Sequence, residues 1–182
     1  MVATRTRGDR ATGAMFFALF GAVWLAGGYW LTHRGRPWVY GLIGVLGTAL
    51  LAAAVRIIRR QRASGPALPA SPQQRRVNRR FQVINAAQWV LVVVGVNVLN
   101  NLGLLRWGIP FAILIVGLHF LPLARLFQNS AHYLVGAALV LLALSYPLVT
   151  NNPESPVGPF GAGLLLWASA LWALRPGSTG SG

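Results

Sequence analysis

The sequence predicts an all-α membrane protein, six transmembrane helices in one bundle. Three observations carry this. First, 55% of the 182 residues are apolar and only 10% are charged, against about 25% charged in a soluble domain. Second, the apolar residues gather into six runs, 14–31, 38–57, 83–104, 109–127, 133–150 and 159–174, each close to the ~20 residues that cross a hydrocarbon core. Third, stretches such as WVLVVVGV and LVGAALVLLAL lack the alternation of a barrel strand. In lipid each backbone segment must satisfy its own hydrogen bonds, so every run is expected to be a helix.

Span 1 follows Arg5, Arg7 and Arg10 as a signal sequence would, but it ends in GYWLTH without a small-residue cleavage site, so an uncleaved transmembrane helix is expected. In span 2, Gly44, Thr48 and Ala52 recur every four residues and Gly41 and Gly47 thin the helix further, which permits close approach of another helix. The one long break comes next. Arg56, Arg59, Arg60 and Arg62 precede ASGPALPASPQQ, and Arg75, Arg76, Arg79 and Arg80 follow it, making a basic, proline-rich loop over 58–82. Arg76, Arg79 and Arg80 share a helical face, so the third helix is expected to begin before its apolar run.

Span 3 presents Asn97, Asn100 and Asn101 on one face, with Gln88 on the opposite side. Span 4 breaks its apolar pattern at His119 and Pro122, and Gln128, Asn129, His132 and Tyr133 follow in a turn. Small residues recur at Gly136 to Ala138 in span 5 and at Gly161, Gly163 and Ala168 in span 6. Spans 2, 4 and 6 each open on proline plus an aromatic (Pro37-Trp38, Pro110-Phe111, Pro159-Phe160) and close on Arg56, Arg125 or Arg175, which suggests three consecutive helix hairpins. The short connections 1–2, 3–4 and 4–5 predict antiparallel neighbours. Trp30, Trp38 and Trp107 are expected at one membrane interface and Trp172 at the other, while Trp24 and Trp167 lie deeper.

All 16 cationic side chains are arginine, and the carboxylates are Asp9 and Glu154 alone. With the N-terminus inside, only Arg34, Arg36 and Arg106 fall outside. This asymmetry predicts a multi-pass membrane protein with both termini cytoplasmic. The C-terminal GSTGSG, in the tail 176–182, is expected to be disordered, beyond a single transmembrane domain covering 1–175.

His119 is the one ionisable group near the middle of a span, and Pro122 cannot donate to the carbonyl of Leu118. Counted from the helix ends, Asn97 falls within one turn of His119 in depth, so a polar cavity of His119, Asn97 and Pro122 is expected, with Asn100 and Asn101 lining its approach. The competing structural role is interhelical adhesion worth about 1 kcal/mol. The absence of cysteine excludes disulfides and thiolate ligands. No carboxylate lies in a span, which argues against aspartyl proteolysis and carboxylate metal sites. A lone central histidine does not make a bis-histidine haem. No catalytic residue, metal or cofactor is expected, and an enzyme is the least supported class.

Among partners, the lipid bilayer comes first. Arg59, Arg60, Arg62, Arg75, Arg76, Arg79 and Arg80 suit anionic lipid headgroups or a partner protein, and no interleaved aromatics suggest nucleic acid. A homo-oligomer or a membrane-protein partner is compatible with the small-residue faces. The stretch GLHFLPLARLF, with GAVWLAGG in span 1, resembles small uncharacterised bacterial six-span membrane proteins. That resemblance implies inner-membrane placement and no activity. Two functions follow: a small-solute or proton pathway or sensor around His119, or a non-catalytic scaffold or accessory subunit acting through its basic loop.

Overall fold

Proline and left-handed turn residues set where the helices begin and stop. The computed structural model describes residues 7–33, 35–63 and 71–175. Helix α1 is Arg7–Trp30, α2 Pro37–Ala63, α3 Pro72–Asn101, α4 Gly108–Leu126, α5 Ser130–Val149 and α6 Val157–Leu174, with one 3₁₀ turn at Leu105–Trp107. Pro37 and Pro72 open their helices, where a missing amide costs nothing. The Ser71 hydroxyl accepts from the Gln74 amide at 3.2 Å and caps α3. After α4 and α5 the chain leaves helical geometry through Gln128 (φ 50°) and Asn151 (φ 49°). All six helices are long and apolar enough to cross a membrane.

The loop expected over 58–82 is largely helix. Residues 58–63 continue α2 and residues 72–82 begin α3, because arginine and glutamine favour helix and Pro72 occupies a first-turn position. Residues 64–70, the tail 176–182 and the side chain of Arg62 lie outside the described residues.

Four helices form the centre. One third of the apolar window is buried in each of α1, α4, α5 and α6, against 11% in α2 and none in α3. The two closest pairings are α1 with α6 and α4 with α5, and both cross through facing glycines. A Cβ on Gly117 would lie 2.9 Å from the Val140 amide nitrogen and 3.0 Å from the Gly136 carbonyl oxygen. A Cβ on Gly163 would lie 2.9 Å from the Gly21 carbonyl oxygen and 2.6 Å from Leu25 Cγ. In lipid, where apolar burial does not drive helices together, such backbone approach supplies the dispersion contact that does. The Trp167 indole, deep as expected, donates to the Ala18 carbonyl at 3.0 Å and ties α6 to α1.

The expected neighbours α1–α2, α3–α4 and α4–α5 do pack together. The three consecutive pairs α1–α2, α3–α4 and α5–α6 all touch, α5 and α6 least closely, and the first and last helices also close on each other. The small-residue stripe Gly44, Thr48 and Ala52 is exposed and lines a shallow hollow with Gly41. Only Gly47 of that set packs inward, its absent Cβ 3.1 Å from the Ala22 methyl. Helix α3 reaches α1 through rings: Phe16–Phe81 and Phe20–Trp89, each with centroids 6.2 Å apart.

Candidate functional site

Two contacts fix the level of α3 against α4. Gly95 leaves room for the Phe111 ring, and Gly108 lies level with Val96, a Cβ there being 3.9 Å from its methyls. His119 comes eleven residues along α4 from Gly108, and Asn85 comes eleven residues back along α3 from Val96. The His119 ring is accordingly turned to the backbone of Ile84. Its Nδ1 is buried without a hydrogen-bond partner.

Beside it stands an aromatic cluster joining four helices. Phe120 packs edge-on to His119 at 5.9 Å and to His132 at 5.8 Å. Phe17 of α1 lies 5.6 Å from Phe120 and 6.0 Å from His132. Phe127 closes the cluster, 6.2 Å from His132 and 5.8 Å from Phe81 of α3. His132 is buried, and its Nδ1 pairs with the Asn129 amide at 2.9 Å. The turn expected to hold His132 ends before it, because α5 begins at Ser130 and carries His132 on its buried side. His132 shares the stripe of Gly136, Leu139, Ala143 and Tyr146 that forms the buried side of α5.

The asparagines are not part of this site. Asn97, Asn100 and Asn101 are exposed, and the Asn97 amide donates to the Val93 carbonyl of its own helix at 2.8 Å. Thirteen residues separate Asn97 from Ile84, about 20 Å of helix. Counting depth from helix ends failed because the ends are not flush: α3 continues five residues past Val96 before the chain turns back through Leu105–Trp107 into α4. The inward face was also reversed. Phe81, Ile84, Gln88 and Gly95 form the half-buried side of α3, so Gln88, set aside as pointing the wrong way, lies on the packed face. Asn85, also half-buried, stands at the level of His119. Pro122 is exposed inside α4, away from the asparagines expected beside it.

The turn residues serve structure. Gln128 donates from Nε2 to the Arg125 carbonyl at 3.2 Å, while Tyr133 is exposed. Of the basic candidates, Arg59 and Arg60 stand exposed on α2, and Arg75, Arg76, Arg79 and Arg80 exposed on α3. Two other arginines at that end fold back onto the bundle: Arg10 donates to the Trp172 carbonyl at 3.4 Å and Arg175 covers the Trp172 ring at 5.2 Å.

The fold defines a class, an all-helical chain whose six helices are each long and apolar enough to cross a membrane. No family model, no curated protein and no solved structure matches it, so the resemblance of GLHFLPLARLF supplies no family and no role.

Proposed function

We propose that His119 is the working group of a membrane protein that passes or senses a small polar solute or a proton along the seam between α3 and α4. The supporting observation is the buried, unpartnered Nδ1. A buried polar atom without a partner costs about 1–3 kcal/mol, which an apolar residue would avoid. Imidazole presents two ring nitrogens that can accept and donate at once, so it can hold a polar solute or hand on a proton. Gln88 and Asn85, half-buried on α3 near that level, add amide groups along the seam. Flux into reconstituted vesicles, measured with a pH-sensitive dye and with a panel of labelled small polar solutes, tests this. His119→Leu should abolish any saturable flux of the wild type. Unchanged saturable flux in the variant would overturn the assignment.

A second reading is a non-catalytic scaffold or accessory subunit. The exposure of α3, which has no buried residue, favours it. On that reading His119→Leu leaves co-purifying membrane proteins unchanged, and the wild type carries no flux to lose.

A further inference from the structure

Arg56, Arg59 and Arg60 lie on the side of α2 opposite Gly47 and Ala54, the buried residues of that helix. On α3, Arg75 and Arg79 lie opposite the packed side formed by Phe81, Ile84, Gln88 and Gly95, with Arg76 and Arg80 on its flank. All seven are exposed. They are carried on continuous helix, so the helix backbones aim them sideways, most of them away from the packed sides.

Their depth is equally specific. From Pro37, Arg56 and Arg60 lie about 28 and 34 Å along α2 at 1.5 Å per residue. From Asn101, the end of α3, Arg80 and Arg75 lie about 31 and 39 Å back along that helix. A hydrocarbon core is about 30 Å thick. The two sets therefore fall in one band, where the phosphates of a leaflet begin.

We propose that these arginines form two lateral binding surfaces at one depth, one on α2 and one on α3, for anionic lipid headgroups. Guanidinium matches phosphate oxygens in paired hydrogen bonds and gives up its hydration readily. A group facing sideways at phosphate depth meets lipid before it meets a soluble ligand. The charge selects the lipid: a phosphocholine brings its own cation, whereas an anionic headgroup leaves net charge to neutralise. Of the two carboxylates of the chain, Glu154 stands at the opposite end, before α6, and only Asp9 belongs to this one. The proposal is independent of His119.

The test is native mass spectrometry of the full chain purified in mixed phosphatidylglycerol and phosphatidylcholine, counting the lipids retained. The wild type should keep phosphatidylglycerol preferentially, and less so at high salt. R56Q/R59Q/R60Q and R75Q/R76Q/R79Q/R80Q, checked for helicity by circular dichroism, should each lower that preference by about ten-fold or more. R36Q/R106Q, at the opposite end, should leave it unchanged. Equal retention of both lipids by the wild type overturns the proposal, as does an equal loss in R36Q/R106Q. Displacement of the retained lipid by inorganic phosphate overturns it too, since the surfaces would then be phosphate sites. Should the variants not fold, the wild type decides alone: a preference unmoved from low to high salt rejects the arginines as its source.

Discussion

His119 sets stability against function within one side chain. Its Nδ1 is buried with nothing to bond, so replacing the ring by leucine removes an unsatisfied atom and sets an apolar side chain against Phe120, at the loss of the ring's contact with the Ile84 backbone. His119→Leu should therefore stabilise the fold by less than about 1 kcal/mol, the lost Ile84 contact offsetting part of the gain, read as a higher unfolding midpoint in detergent, while removing the flux proposed above. Adhesion between helices predicts the opposite sign, a loss of similar size. Trp167→Phe gives the contrasting case. The indole bond to the Ala18 carbonyl joins two central helices at 3.0 Å, and its loss should cost about 1 kcal/mol by the same measurement. His119 stands out in the sequence because an ionisable group in an apolar run is conspicuous. Its surroundings do not, since Ile84, Phe120 and Phe17 are ordinary apolar residues whose meeting depends on which helices pack together.

At the scale of elements, glycine placement governs the bundle. Gly117→Ala and Gly163→Ala would push a methyl against a neighbouring helix backbone at 2.9 Å in each case. Backbone cannot step aside as a side chain can, so each should destabilise the protein by about 1–3 kcal/mol, seen as a lower unfolding midpoint. Gly41→Ala meets nothing within 4 Å and should be neutral or slightly stabilising through helix propensity. Helix positions were legible at this scale because proline, apolar length and turn residues act locally. The level of one helix against the next was not. The reach of α3 past the start of α4 comes from the path of residues 102–107 and from Phe111 settling over Gly95. Neither is local, and together they moved Asn97 about 20 Å from the group it was expected to join.

In the whole molecule, four helices share the centre while α2 and α3 flank it, and both flanking helices bring arginines to the same end. That arrangement separates the two proposals: a seam where α3 meets the central helix α4 for a polar solute, and an outer basic band for lipid. Arginine variants that lose lipid preference should keep flux, and His119→Leu should keep lipid preference. By itself the sequence determined the class, the count of six helices, their approximate positions and the basic end, because hydropathy, helix formation and charge are properties of a segment and its solvent. Only the tertiary structure decided that α1 closes on α6, that Gln88 rather than Asn97 faces inward, and that His119 meets Ile84. The physical reason is the solvent: against lipid, both sides of a transmembrane helix can be apolar, so no amphipathic stripe marks the buried face. That choice passes to close glycine crossings and the fit of large rings, which exist only once the helices are packed.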